Sequence, residues 1–151
     1  MNLINSIEKY KEATEQFIST ISKLSEAELD TGKNQGWNAR QVIHHVADSE
    51  AQSYTRLRRL IVEPGTQIQG YDQPAWGKNE TLGYEELPIQ ISVDVFRATR
   101  ASSLEILKRL TVSQLENSGK HSEWGDYSIH KWLELYINHP MEHAAQIRSG
   151  F

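Results

Sequence analysis

Four separate stretches of this chain repeat apolar residues every three or four positions, a period that fits long amphipathic helices and little else. In the first, Ile4, Ile7, Tyr10, Phe17, Ile18 and Ile21 share one face and Lys and Glu fill the other, which predicts a helix from about Leu3 to Leu24. Ser25 followed by Glu28 reads as a capping box that opens a single short turn, and the polar run Asp30 to Gly36 reads as loop. The second long helix starts at Asn38, a capping residue with Gln41 three positions on. Its inward stripe is Val42, His45, Val46, Ser49, Leu57 and Leu60. Arg56, Arg58 and Arg59 crowd its last turns, where the helix dipole favours cations, and Pro64-Gly65 ends it.

Glu63 to Glu86 shows no period and is expected to be a long loop folded over one end of the bundle, since Tyr71, Trp76 and Tyr84 are too apolar for a free linker. The third helix is predicted from about Pro88 to Leu110. Its first residues alternate like a strand, but Val93, Phe96, Ser103, Leu107 and Leu110 continue a helical stripe, and the segment is too long for one strand. Ser113 to Glu116 repeats the capping-box pattern. Gly119 to Tyr127 is loop, with room for a small hairpin around Trp124-Gly125-Asp126. The fourth helix runs from about Ser128 to Arg148, with Trp132, Leu133, Tyr136, His139, His143 and Ile147 on its buried face. Pro140 lies inside it, removes a backbone donor and is expected to kink the helix beside His139. The fold class is therefore all-α, a four-helix bundle occupying residues 1–151 as one domain.

His139 and His143 form an H-x-x-x-H pair, which a helix stacks on one face, one turn apart. His44 and His45 are neighbours and point about 100° apart, so only one faces the core squarely. His45 shares its stripe with Val42, Ser49 and Leu57 and is the inward one; His44 is expected at the surface or behind the site. His45, His139 and His143 together would form a three-histidine metal site with an open coordination position, the pattern of catalytic rather than structural centres. With no Cys in the chain, imidazole and carboxylate are the only strong metal ligands it has. Asp48 is the one candidate for a catalytic acid or base, although a solvated helix carboxylate is the simpler reading. Glu142 directly precedes His143, the reverse of the H-E-x-x-H order, so that protease mechanism does not transfer. His121 and His130 are given no role.

A net charge of -4 without a basic run argues against nucleic acid as partner. No apolar run is long enough to span a membrane, no signal peptide is evident, and the absence of Cys suits a cytoplasmic setting. No Gly-rich phosphate loop or G-x-S-x-G elbow is present.

The segment Gly36 to Ser49 (GWNARQVIHHVADS), taken with His139 to Ile147 (HPMEHAAQI), resembles the DinB superfamily, and within it the YfiT-like branch of metal-dependent hydrolases. Tyr71-Asp72 followed by Trp76 also resembles that branch. The resemblance implies a four-helix bundle, commonly dimeric, that holds zinc or nickel on one histidine of the second helix and two of the last. Motif by motif, these are His45, His139 and His143. It also implies a small-molecule substrate and two possible chemistries, metal-dependent hydrolysis or transfer dependent on a small thiol. A metal- or ligand-binding bundle without turnover is the reading outside enzymes. Two departures stand out: Glu50 occupies a position where the branch usually has a further His, and Pro140 falls inside the second motif.

Overall fold

The computed structural model describes residues 2–31 and 36–149. The bundle is built from α1 (Leu3–Ile21), α3 (Ala39–Val62), α5 (Gln90–Leu107) and α6 (Ile129–Ser149). α1 packs chiefly on α6, and α3 packs on both α5 and α6. Two of the three predicted capping boxes form as expected, and the one expected at Ser113 to Glu116 forms two residues earlier, between Thr111 and Gln114. Asn38 accepts from the Gln41 amide at 2.9 Å while the Gln41 side chain accepts from the Asn38 amide at 3.1 Å. Ser25 and Glu28 make the same reciprocal pair at the start of α2 (Glu26–Asp30). Four residues of the expected loop from Asp30 to Gly36, numbers 32–35, lie outside the described residues.

The first and third bundle helices end three residues earlier than their periodicity suggests, at Ile21 and Leu107. In both cases the apolar residue beyond the end, Leu24 or Leu110, still packs against the core from an irregular turn. A stripe reports burial and does not distinguish a last helical turn from a turn that merely buries its side chain.

The stretch between α3 and α5 is not plain loop. It contains β1 (Gln67–Ile68), α4 (Gln73–Lys78) and a three-ten turn at Glu80–Leu82. α4 is too short for a period to show, but its start has chemical signals: Asp72 accepts from the Ala75 amide at 2.9 Å and Pro74 sits in the first turn. The expected hairpin is present as β2 (Ser118–His121) and β3 (Gly125–Ser128), antiparallel, with Gly125 at φ 69°. Sequence reading missed the third strand. β1 pairs parallel to β2, Gln67 opposite Lys120 and Ile68 opposite His121. Two residues carry no alternation to detect. What permits the pairing is Gly119, where a Cβ would fall 2.5 Å from the Thr66 carbonyl oxygen.

α6 continues through Pro140. Proline has no N–H, so the Tyr136 carbonyl four residues earlier loses its helical donor. Arg100 of α5 supplies one: its Nη1 donates to Tyr136 O at 2.6 Å. The same guanidinium donates to Glu50 Oε1 on α3 at 2.9 Å, and to Tyr10 O and Thr14 Oγ1 on α1, both at 2.7 Å. Arg100 and Glu50 are each 1% exposed. One buried ion pair thus ties the four bundle helices together at the level of the proline.

Candidate metal centre

α3 and α6 bring His45, His139 and His143 to one point. The Nε2 atoms of His45 and His143 each lie 3.2 Å from Nε2 of His139. All three ligand atoms fall within 4.8 Å of one another. Two nitrogens bound tetrahedrally at about 2.0–2.1 Å from zinc stand about 3.3 Å apart, so the spacing fits a shared ion. The His143 Nδ1–H donates to Gln146 Oε1 at 2.7 Å, which leaves a lone pair on Nε2. Among the described residues the buried Nδ1 atoms of His45 and His139 have no hydrogen-bond partner, so each ring is left with Nε2 as its one engaged nitrogen. The donor set, three imidazoles and no thiolate, suits zinc, nickel, copper or iron, and leaves coordination positions open.

Burial keeps the rings neutral and ready to ligate. It pushes His45 down to about 3, with the neighbouring His143 adding to the effect. His139 is held well below its ordinary value by the same burial and by both neighbouring histidines, and His143 is lowered by burial as well. This fixes a sign. A histidine whose folded pKa is depressed binds fewer protons in the native than in the unfolded chain, so stability falls as pH drops below about 6.5. We expect metal-free protein to lose on the order of 3 kcal/mol between pH 6.5 and 4 through His45 alone. Urea titrations of wild type and His45→Gln across that range check it: the variant should show a shallower pH dependence.

The histidines open on a cavity of about 620 Å³ whose walls include Trp37, Ser49, Tyr71 and Tyr136. Trp37 lies with its ring 5.1 Å from that of His45. Behind it is Gly77 of α4, where a Cβ would meet Trp37 Cζ2 at 2.5 Å. Alanine normally gains up to about 1 kcal/mol over glycine within a helix. Here the clash should win, and Gly77→Ala is expected to destabilise by about 1–3 kcal/mol in urea unfolding, because it pushes the indole off its packing against His45 and Tyr84.

His44 is not at the surface. It is 5% exposed, with Nε2 donating to Leu87 O at 3.1 Å and Nδ1 accepting from Ser92 Oγ at 2.8 Å. A turn of 100° away from α6 brings it to α5 rather than to water, since α3 is flanked on both sides. Asp48 lies on that side too. Its carboxylate accepts the Tyr84 hydroxyl and borders a second cavity with His44 and Leu87. Glu142 is exposed and makes no ion pair within 4 Å among the described residues. His130 is exposed; His121 is 4% exposed and stacks on Trp124 with ring centroids 4.2 Å apart. Of the aromatics on the long connection and the fourth helix, Tyr71 and Tyr136 line the cavity, whereas Trp132 is core. Arg56, Lys78 and Gln146 also line it and were not anticipated there. Gln146 could have been found, as it stands one turn beyond His143 on the same face. Arg56 was accounted for by the helix dipole alone.

A protein of Oceanobacillus iheyensis that carries the name of a candidate metal-dependent hydrolase is 37% identical over 132 residues, 87% of this chain and 75% of that one. Among solved structures, YfiT from Bacillus subtilis, described as a probable metal-dependent hydrolase with an unusual four-helix bundle topology, superposes with a TM-score of 0.87 at 25% identity. The match covers 97% of this chain and 84% of that one. The fold is also that of a mycothiol-dependent maleylpyruvate isomerase, with a TM-score of 0.77 at 13% identity over 97% of this chain and 61% of the isomerase. The DinB superfamily model matches residues 9–147, from within α1 to within α6 and including all three convergent histidines, and the chain belongs to that superfamily.

Proposed function

We propose that the chain is a metal-dependent hydrolase in which His45, His139 and His143 hold one divalent ion, zinc or nickel. The observation that carries this reading is the convergence of three neutral Nε2 atoms on the wall of a cavity large enough for a small substrate. An ion held there by three ligands supplies a Lewis acid that polarises a carbonyl or acidifies a water molecule near neutral pH. The chain's own part is to fix the three rings, keep them unprotonated by burial, and shield the reacting centre with Trp37 and Tyr136. The relative from Oceanobacillus, with its hydrolase name, supports the same reading.

A second reading has its own support. Among the described residues none that lines the cavity is Asp or Glu, and Asp48 borders the neighbouring one. Hydrolysis usually calls on a protein acid or base, whereas a thiol made acidic by a metal needs none. The isomerase with this fold is mycothiol-dependent. A thiol-dependent transferase is therefore the alternative, and a binding protein without turnover is the remaining one.

The test is a panel of generic esters, amides and thiol acceptors, run on metal-loaded protein with and without a low-molecular-weight thiol, beside His139→Ala. Turnover without thiol that vanishes in the variant supports the hydrolase. Turnover only with thiol selects the transferase. A panel with no turnover on fully loaded protein counts against both.

A further inference from the structure

Arg56 is 6% exposed and lies on the wall of the histidine cavity. Arg40 and Arg100 are buried to a similar degree, and each holds a carboxylate: Asp30 at 2.6 Å and Glu26 at 3.0 Å for Arg40, Glu50 at 2.9 Å for Arg100. Arg56 holds none. Among the described residues no carboxylate comes within 4 Å of its guanidinium. Its recorded bonds go to neutral oxygens, the Gln69 carbonyl at 2.8 Å and the Tyr136 hydroxyl at 3.3 Å. The tyrosines and the histidine around it do not neutralise it either. Burial raises Tyr71, Tyr127 and Tyr136, so they stay phenols, and burial lowers His121, so it stays neutral. A lone buried cation is costly unless something anionic meets it. In a chain of net charge -4, the cavity wall carries Arg56 and Lys78 and, among the described residues, no acid.

We propose that Arg56, assisted by Lys78, is the anchor for a carboxylate of the small molecule that reacts at the histidines. The Tyr136 hydroxyl that accepts from Arg56 donates onward to the Ser49 carbonyl at 3.3 Å. Ser49 is one turn along α3 from His45, about 6 Å at 1.5 Å per residue. The ligand is thus a bifunctional molecule, with its carboxylate held at Arg56 and a second group that meets the metal. The planar fork of a guanidinium suits a carboxylate in two-point contact, and an orienting contact of this kind fixes which end of the molecule faces the ion. The proposal rests on the histidine cavity being the reaction site. The carboxylate can belong to the substrate or to a small thiol that acts with it.

The test uses metal-free protein first, so that it does not depend on the metal. Glutarate, a carboxylate without a thiol, is titrated while the fluorescence of Trp37 and Trp124, both on the cavity wall, is followed. Saturable binding is expected, weakened about tenfold or more in Arg56→Met and partly kept in Arg56→Lys. Lack of saturable binding to wild type overturns the proposal, as does equal binding by a folded Arg56→Met. If that variant does not fold, labelling of wild type with phenylglyoxal decides: glutarate must protect Arg56, and failure to protect rejects the subsite. N-acetylcysteine is then added to cobalt-loaded protein. A thiolate-to-cobalt absorption band whose midpoint shifts in Arg56→Met assigns the carboxylate to the thiol; a band indifferent to that change assigns it to the other substrate. Glutarate binding in a protein that takes up no metal would keep the subsite and remove the metal-enzyme reading.

Discussion

Replacing His139 by alanine should abolish stoichiometric metal binding, with affinity falling by more than the roughly 100-fold that loss of a supporting residue behind a ligand can cost. Its Nε2 is the middle atom of the cluster, 3.2 Å from both neighbours, so its removal leaves His45 and His143 without the ring that bridges them. His45→Ala and His143→Ala should do the same, and Gln146→Ala should cost less, about 10–100-fold, through loss of the bond that orients His143. Elemental analysis of untagged protein, purified without a nickel column, reads this directly. About one ion per chain in wild type and none in the three histidine variants is the expected pattern. Full occupancy in any of the three would remove that residue from the ligand set.

The largest expected loss of stability comes from Arg100→Met. The substitution keeps much of the volume but strips donors from Tyr10 O, Thr14 Oγ1 and Tyr136 O, and leaves Glu50 buried without its cation. Breaking a buried pair from one side costs about 3–5 kcal/mol, which in a protein of this size lowers Tm by roughly 10 °C. Glu50→Gln in the same background should recover part of the loss, because it removes the stranded carboxylate. The pH dependence tells the two causes apart. Burial raises the Glu50 carboxyl and Arg100 pulls it back. Without Arg100 the folded pKa rises, the native state holds a proton that the unfolded chain has released above about pH 4.3, and stability falls as pH increases through that window. Arg100→Met should therefore lose least at acid pH. A penalty independent of pH would assign the cost to the orphaned carbonyls alone.

Local chemistry made much of the bundle legible. Asn38 with Gln41 and Ser25 with Glu28 announced helix starts because a capping box is closed by residues three apart. His45 was separable from His44 because a helix turns 100° per residue, and only one of the two could face α6. Where recognition depended on distant partners, sequence reading stopped. The pairing of β1 with β2 joins residues more than fifty positions apart and leaves no periodic trace. His44 reads as a residue at the surface or behind the site until α5 is known to lie beside it. Arg56 reads as a dipole partner until its lack of an acid is seen, and the absence of a neighbour cannot be read from a linear chain.

The break at Pro140 bears on the order in which the molecule assembles. A helix in isolation cannot complete its ladder across a proline, and the replacement donor comes from α5, a different part of the chain. His139 lies just before the break and His143 just after it. Their relative placement is therefore secured only when α5 has docked, late in folding rather than within α6 alone. Metal should be captured by the assembled bundle and should not nucleate it. Added to the refolding chain, the ion should slow unfolding and leave the folding rate nearly unchanged.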